Sequence, residues 1–568
     1  MITKQKGCCE VKIFTLTLKS ANIPEKDIAR IKKTVGRILE HRGCALCDGG
    51  YSVTLDLVPR GVGEAENKKD RYSIIEDGKG GALVTASDLC TVYAALGRFF
   101  MSGSFDFRGG FVPPTLPIEH EQKSSVRGMY LASHFYNFWH VAPMEDVMPF
   151  IEDLALWGCN TLMLCLAPQH YRSFKSPEAI EMADRLKKIF ACAAEFGIAP
   201  ALILFSNTGF LDRSEDIAAP WDMRGEYITA NYAELHKEIC PNLPGGMEEI
   251  RRCHREFFEL FSDVPVKYFA YWVYDEGGCT CDVCSRWSEN GFIKVYEESV
   301  KPLLSEYFPD AKLILSTWHF DRHLRDEGKR LYEKISSGKY PWAEYVMAVY
   351  GDGQFMPLTA EHGAPGGRPV IDFPEISMSG GKPWGGYGAN PLTMRLDNFF
   401  SSVGDVLDGG FPYSEGFWEN INEFCCMSHY SGTHADTADA VRDYVRFYFG
   451  ISDTEPLLRA VELLEITLGR KVETMPDGRL RVTPHFPAAV REAYRLVTEA
   501  DAVMTDAAKQ DPRWRIIYLR AVIDYELYTH DFIPMNSVTA QKCFRELWAL
   551  YHAYDTRIQP AVCPPLGR

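Results

Sequence analysis

Residues 267–278 read KYFAYWVYDEGG, an apolar and aromatic run that ends on two adjacent carboxylates, Asp275 and Glu276, and then on two glycines. Neighbouring side chains of a regular strand point to opposite faces, so both carboxylates can face one ligand only where the strand breaks up. Glycine permits such a break because it lacks a Cβ. The apolar lead-in argues against a solvated surface pair. The stretch predicts a buried strand that ends in a catalytic acid and a second carboxylate that assists it.

A repeated pattern of a strand followed by a helix extends on both sides of this stretch and starts near residue 125. Amphipathic segments with helical spacing lie between most of the strands. The eight strand candidates are residues 126–133, 161–167, 200–205, 267–274, 312–317, 345–350, 370–373 and 410–414. Eight such units are typical of a (β/α)8 TIM barrel, in which the chemistry gathers where the strands end, and a doubly wound sheet would rarely need so many.

Two further domains are expected to flank a barrel over residues 121–450. Residues 1–120 alternate short β-like runs with helical stretches, which predicts a small α/β domain, and a Gly- and Pro-rich linker follows near residues 108–114. Residues 451–568 have helical apolar spacing throughout, which predicts a C-terminal helical domain. The expected fold class is therefore α/β.

The amino-acid composition and net charge indicate which classes of molecule the protein can bind. With 568 residues, 46% hydrophobic residues and a net charge of -16, the chain is typical of a globular protein that binds neither nucleic acid nor anionic membranes. The sequence shows neither a signal peptide nor a long apolar stretch, and its 17 cysteines are scattered, so we expect a cytoplasmic protein with reduced thiols. A homo-oligomer is left as an open alternative.

Polar and aromatic residues crowd the predicted strand ends. Apolar faces of a sugar ring stack on aromatic side chains, while its hydroxyls bind carboxylates and amides, so this crowding favours a carbohydrate partner. Each residue taken singly is more often a packing residue than a ligand. The candidates are His134 and Asn137 after the first strand, Trp318 after the fifth, Tyr350 ending the sixth, and Glu415, Trp418 and Glu419 after the eighth.

Residues 127–131, RGMYL, open the first barrel strand, and the adjacent Asp275 and Glu276 end the fourth. Together with the preceding α/β domain, these features resemble family 20 glycoside hydrolases, the β-N-acetylhexosaminidases, and related barrel β-N-acetylgalactosaminidases. The broader set of barrel proteins with such a domain includes α-glucuronidases. The resemblance covers about residues 1–430.

The resemblance implies an exo-acting hydrolase that removes a terminal β-linked N-acetylhexosamine, GalNAc or GlcNAc, with retention and by substrate assistance. It implies that Glu276 is the general acid and base and that Asp275 orients the acetamido group. The remaining positions would bind substrate: Arg127 would grip ring hydroxyls, Trp418 and Glu419 would hold the far edge of the sugar, and Tyr350 or Tyr387 would touch the acetamido oxygen.

Two alternatives stay open. A barrel glycosidase acting on a uronic or sialic acid could use Asp372, Glu375 or Glu415, but a substrate carboxylate calls for several basic residues at strand ends, and only Arg127 is obvious. A non-catalytic sugar-binding protein would keep the tryptophans without requiring Asp275 and Glu276.

Three thiols follow the carboxylates within six residues, at Cys279, Cys281 and Cys284. Thiolates converging on one loop are typical zinc ligands, so they predict a structural zinc, with no cofactor needed for catalysis. A fourth ligand would come from elsewhere, and the nearest candidates are Cys240, Cys253 and His254. A reduced cluster that only packs the loop is the alternative.

Overall fold

The structure of the chain is a computed structural model. The structure describes residues 14–59, 69–134, 138–220, 237–273, 278–284, 286–317, 327–351, 354–355, 363–377, 390–403, 406–414 and 420–550. No helix in these ranges is both long enough and apolar enough to cross a membrane.

The N-terminal domain is a six-stranded mixed sheet covered by helices Glu25–Glu40 and Leu89–Ser102. Alternate strand residues such as Leu16, Val53 and Val84 are buried, because one face of the sheet packs in the hydrophobic core. In spatial order, the strands are Ala45–Leu46, Thr15–Ala21, Tyr51–Leu57, Ala82–Ala86, Arg71–Glu76 and Ile118–Glu121.

The segment predicted as a linker, residues 108–114, belongs to a small hairpin of strands Ser104–Phe105 and Phe111–Val112. The rings of Phe105 and Phe111 stack with centroids 4.2 Å apart, and both side chains are buried. This aromatic contact stabilises the hairpin, although the Gly and Pro content of the segment predicted only a linker.

Eight strands, all parallel to their barrel neighbours, form the predicted TIM barrel, and every strand candidate is confirmed within a few residues. In barrel order they are Val126–Leu131, Thr161–Leu164, Ala199–Phe205, Tyr268–Trp272, Lys312–Ser316, Tyr345–Gly351, Val370–Ser377, and an eighth made of Leu407–Gly410 and Tyr413–Ser414. The barrel closes because both pieces of the eighth strand pair with the first, at Gly409↔Val126 and Tyr413↔Tyr130.

The strands are buried on both faces, as expected when helices enclose a parallel barrel. Gln354–Phe355 adds a short antiparallel strand beside the sixth. The surrounding helices are Phe138–Val141, Met144–Leu156, Pro177–Ala194, Gly246–Phe261, Lys301–Tyr307, Glu327–Ser336, Thr393–Val403, Asn420–Ser431 and Thr437–Phe449, with π-helical turns at Ser288–Ile293 and Tyr296–Val300 and 3-10 turns at Pro168–His170, Glu215–Ile217 and Pro365–Gly367.

The C-terminal region is mainly helical, with helices Glu455–Ile466, Pro487–Val503, Asp506–Gln510, Pro512–Thr529 and Val538–Leu550 and a 3-10 turn at Pro534–Asn536. It also contains an antiparallel hairpin of Arg470–Thr474 and Leu480–Pro484, so the expectation of helical structure throughout was wrong there. The turn residues Asp477 and Gly478, the latter at φ 81°, favour this hairpin over a continuing helix.

Candidate active site at the carboxyl end of the barrel

The carboxyl ends of the parallel strands open on one side of the barrel, where the functional groups of TIM-barrel enzymes gather. Of the catalytic and substrate-binding residues that the resemblance and the strand ends predict, the structure describes the side chains of His134 and Arg127. The sixth strand contains Tyr350, whose side chain is not described. The other predicted positions lie outside the described residues: Asp275, Glu276, Asn137, Trp318, Tyr387, Glu415, Trp418 and Glu419.

Four aromatic rings meet inside the barrel near this end, and we call them the aromatic floor: Tyr130, Trp272, Phe373 and Tyr413. The Trp272 and Phe373 rings lie 5.0 Å apart between centroids although they belong to the fourth and seventh strands, which are not neighbours. Their contact therefore crosses the interior. Tyr130 completes the floor, with its ring centroid 5.4 Å from those of both Phe373 and Tyr413.

None of the four floor residues was predicted as a site residue, because each looks like ordinary strand core. A signal was present, since Tyr130, Trp272 and Phe373 all occur at or near the ends of predicted strands. Trp272 is the last residue of the fourth strand, so the chain leaves the floor toward Asp275 three residues later.

His134 lies where it was predicted, three residues beyond the end of the first strand. It is buried, and its Nδ1 lies 3.5 Å from the hydroxyl oxygen of Tyr130 in the floor. The neighbouring Ser133 joins the ends of the first two strands, because its hydroxyl donates to the carbonyl of Cys165 at 2.8 Å and accepts from the Cys165 amide at 3.0 Å. His134 therefore stands on a fixed strand end beside the aromatic floor.

The end of the third strand carries buried polar residues 206–208, which the sequence interpretation did not single out. The Asn207 side-chain amide donates to the Ile239 carbonyl at 3.0 Å, and the Ile239 amide donates back to the Asn207 carbonyl at 2.8 Å. The Thr208 hydroxyl donates to the buried carboxylate of Glu238 at 3.4 Å. These bonds hold residues 237–240 against the barrel end.

Gln169 lies in the turn after the second strand, only 4% exposed. Neither its side-chain oxygen nor its side-chain nitrogen has a hydrogen-bond partner among the described residues. A buried amide without partners is costly, and such groups at the carboxyl end of a barrel are suited to bind a ligand. Gln169 is therefore a candidate ligand-binding residue that no sequence motif marked.

We expect Gln169→Leu to leave the thermal midpoint unchanged or slightly raised, because removing an unpaired buried amide relieves a cost of about 1 kcal/mol or more. If Gln169 binds the substrate, KM rises about tenfold for the loss of one good hydrogen bond. Differential scanning fluorimetry and steady-state kinetics measure both effects.

Gln122→Leu is the matched control. Gln122 is also buried with an unpaired side-chain oxygen, but it precedes the first strand at the opposite end of the barrel. The control should leave KM unchanged. An unchanged KM in Gln169→Leu itself would remove Gln169 from the site.

Arg127 lies at the amino end of the first strand, away from the aromatic floor. Its side chain is 1% exposed, and its three guanidinium nitrogens donate to the carbonyls of Gly158 and Ser124 and to the Asp70 carboxylate, at 2.8, 2.8 and 2.9 Å. Since Tyr130 points inward, alternation along the strand directs Arg127 outward. The prediction that Arg127 contacts the sugar is therefore wrong. Arg127 instead joins the barrel to the N-terminal domain through Asp70.

Asp372 is likewise removed from the set of alternative catalytic acids. It is fully buried, and Tyr430 on helix Asn420–Ser431 donates to its Oδ1 at 2.5 Å. A Cβ on Gly410 would lie 1.5 Å from the same oxygen, so the backbone of the eighth strand closes over the carboxyl group. Burial raises the pKa of Asp372 well above its usual range. The group faces the outer helices, opposite to its neighbour Phe373.

Glu375 differs from Asp372. It lies two residues beyond Phe373 and pairs with Tyr413 of the floor, and it is only partly buried. Glu375 therefore places a partly exposed acidic residue near the carboxyl end of the barrel.

The loop after the fourth strand brings Cys279, Cys281 and Cys284 together with Cys240, and we call these four residues the cysteine cluster. Their sulfur atoms all lie within 4.8 Å of one another. Of the three candidates for a fourth ligand, Cys240 is the one whose sulfur lies in this cluster. Hydrogen bonds with Cys279 and Cys284 lower the pKa of the Cys240 thiol, and the same contacts raise the pKa of those two thiols.

The other two candidates are engaged elsewhere. His254 is buried, with Nδ1 2.8 Å from the Ser299 hydroxyl and Nε2 2.7 Å from the Phe205 carbonyl, and burial lowers its pKa to about 4. Cys253 is buried on the same helix, and desolvation raises the pKa of its thiol. Both belong to the packing of helix Gly246–Phe261.

No protein-family model and no curated protein matches this chain, whereas several solved glycoside hydrolases share its fold. A family 89 glycoside hydrolase from Clostridium perfringens, in complex with 2-acetamido-1,2-dideoxynojirmycin, has a TM-score of 0.60 at 12% identity, over 93% of this chain and 65% of its own. BtGH115A, a family GH115 4-O-methyl-α-glucuronidase, has a TM-score of 0.60 at 11% identity, over 97% and 79%. The chitobiase FjGH20 from Flavobacterium johnsoniae has 0.51 at 12% identity, over 95% and 90%.

Identities this low establish the fold alone, because one barrel fold hosts many activities. The predicted resemblance to family 20 is therefore only partly confirmed: family 20 is one of several glycoside hydrolase families that share this architecture, and the family 89 and GH115 structures have higher TM-scores. The chain spans 65% of the length of the family 89 structure.

Proposed function

We propose that this protein is a glycoside hydrolase whose substrate sits above the aromatic floor, with Glu276 as its acid and base. The observation that carries the proposal is the floor itself, where rings from the first, fourth, seventh and eighth strands converge at the end of the barrel at which the fourth strand continues toward Asp275 and Glu276. Aromatic faces pack against the apolar faces of sugar rings. The fold shared with glycoside hydrolases of three families supports this assignment.

In the proposed reaction, Glu276 protonates the glycosidic oxygen while the acetamido oxygen of the substrate attacks the anomeric carbon. The bond to the aglycone breaks, and a cyclic oxazolinium forms that keeps the positive charge on the substrate. Asp275 stabilises this charge through the acetamido N–H. Glu276 then removes a proton from water, which opens the ring and gives the sugar with retained configuration.

The proposed substrate is a terminal N-acetylhexosaminide. The family 89 structure holds a 2-acetamido sugar mimic, and the family 20 structure is that of a chitobiase, which supports a site for such a sugar. A uronic acid is less favoured, because Arg127, the one obvious basic group for its carboxylate, is bonded to Asp70 at the other end of the first strand.

The proposed β anomer rests on the resemblance of Asp275 and Glu276 to the carboxylate pair of family 20, whereas a family 89 enzyme of similar fold was solved with its substrate GlcNAc-α-1,4-galactose. A panel of aryl α- and β-glycosides of GlcNAc and GalNAc, with a β-glucuronide and a sialoside, tests the choice. We expect turnover of the β-N-acetylhexosaminides. Turnover of the α-linked compounds only would overturn the β assignment, and turnover of the glucuronide only would overturn the acetamido substrate. Binding of sugars without any turnover would reject the enzyme in favour of a sugar-binding protein.

A further inference from the structure

We propose that Cys240, Cys279, Cys281 and Cys284 bind one zinc ion, which ties the segment after the third barrel strand to the loop after the fourth. The proposal is independent of the glycosidase activity, since its ligands and its principal readout involve no substrate.

The sulfur positions fit a tetrahedral ion. The Cys240 sulfur lies 3.8 Å from the sulfurs of both Cys281 and Cys284, and no two sulfurs in the cluster are more than 4.8 Å apart. Four thiolates about 2.3 Å from a central zinc would be separated by about 3.8 Å along each edge of the tetrahedron. A disulfide instead needs about 2.05 Å between sulfurs, so the 3.8 Å contacts of Cys240 fit ligands around an ion and exclude a disulfide at these pairs.

The chemistry of the four ligands selects the class of metal. Tetrahedral sites of four thiolates hold zinc or iron, and hard ions such as Mg²⁺ or Ca²⁺ prefer oxygen ligands. Because the protein fills all four positions, no position remains for water or substrate, which is the arrangement of structural zinc sites.

Hydrogen bonds to sulfur support the charged thiolates. The Cys284 backbone amide donates to the Cys281 sulfur at 3.4 Å, across a Cys-x-x-Cys turn, and the Asn242 side-chain amide donates to the Cys284 sulfur at 3.0 Å. Lys294 donates to the side-chain oxygen of Asn242, which orients that amide and places a positive charge nearby. Such donors partly offset the negative charge of a four-thiolate site and orient its ligands.

Both segments that supply the ligands are anchored close to the cluster. The Cys240 amide donates to the Ile217 carbonyl at 2.9 Å, and the Thr280 hydroxyl donates to the Pro220 carbonyl at 2.7 Å. Gly278, at φ 94°, leaves no room for a Cβ, which would lie 2.2 Å from the buried ring of Trp287. A metal at the cluster would cross-link these anchored segments, and Cys279 follows the proposed acid Glu276 by three residues.

The test begins with the wild-type chain, purified without chelators and under reducing conditions. Elemental analysis should find about one zinc per chain. A zinc ion whose binding contributes to the folding free energy is expected to stay bound during purification. Replacement by Co²⁺ should give the intense near-ultraviolet and visible bands of a tetrahedral thiolate site. No bound metal, or loss of the free thiols to disulfides under these conditions, would overturn the proposal. Iron, recognised by its colour and by elemental analysis, would overturn the choice of zinc.

Variants then assign the ligands. We expect Cys281→Ala to lose most of the zinc and to lower the thermal midpoint by several degrees, while Cys253→Ala keeps the zinc. Cys253 is the matched control because it is a buried thiol nearby, on helix Gly246–Phe261, but outside the cluster. Should Cys281→Ala fail to fold, removal of zinc from the wild type by a chelator supplies the same comparison, and retention of the metal in a folded Cys281→Ala would exclude Cys281 as a ligand.

Discussion

Glu276→Gln is expected to lower kcat/KM by about 10²- to 10⁴-fold on substrates with poor leaving groups, because an amide cannot protonate the departing oxygen. Aryl glycosides with activated leaving groups need little protonation, so their first step should be nearly unaffected. Comparing a disaccharide with a dinitrophenyl glycoside, in wild type and variant, measures the difference as a change in transition-state stabilisation.

Asp282→Asn is a matched control for this experiment, since Asp282 is an exposed carboxylate in the loop that follows Glu276. It should leave both substrates unaffected. If Glu276→Gln instead slowed the two substrates equally, the acid role would move to another carboxylate. Glu415, after the eighth strand, and Glu375, partly exposed beside Tyr413, would be next in line.

Asp275→Ala is expected to lower the rate of turnover by about 10²-fold or more, because the carboxylate stabilises charge that develops only as the acetamido group closes on the anomeric carbon. The loss should appear in kcat and in kcat/KM, as for an interaction made only in the transition state. Steady-state kinetics on an aryl β-N-acetylhexosaminide measures it.

A thiazoline that mimics the cyclised acetamido group provides the accompanying measurement. It should inhibit the wild type strongly and Asp275→Ala weakly, because transition-state mimics depend on the same contact. Turnover indifferent to a 2-acetamido group, with no inhibition by the thiazoline, would contradict substrate assistance. A mechanism with two enzyme carboxylates would then be favoured, in which Glu375 or Glu415 is the second catalytic carboxylate in addition to Glu276.

The sequence by itself determined the barrel. Its strands read as short apolar runs and its helices as amphipathic segments. These local periodicities survive in the structure because the strands are buried on both faces, whereas amphipathic helices such as Pro177–Ala194 bury only one face. The hairpin Arg470–Thr474 and Leu480–Pro484 is the exception, since its few residues between long helices left too short a pattern to distinguish. The carboxylates Asp275 and Glu276 were also marked by sequence, through the apolar run that leads into them.

Only the tertiary structure decided which chemical groups meet. Arg127 and Asp372 both looked like site residues from their places in predicted strands, yet alternation directs Arg127 to Asp70 and Asp372 to Tyr430, outside the barrel interior. The direction of a side chain depends on the register of its strand, which the neighbouring strands set. Likewise, the sequence could not tell which of Cys240, Cys253 and His254 lies beside Cys279, Cys281 and Cys284, because that depends on how distant segments pack. The structure places Cys240 there. Contacts between residues far apart in the chain are fixed by packing, while the periodicity of each element is fixed locally.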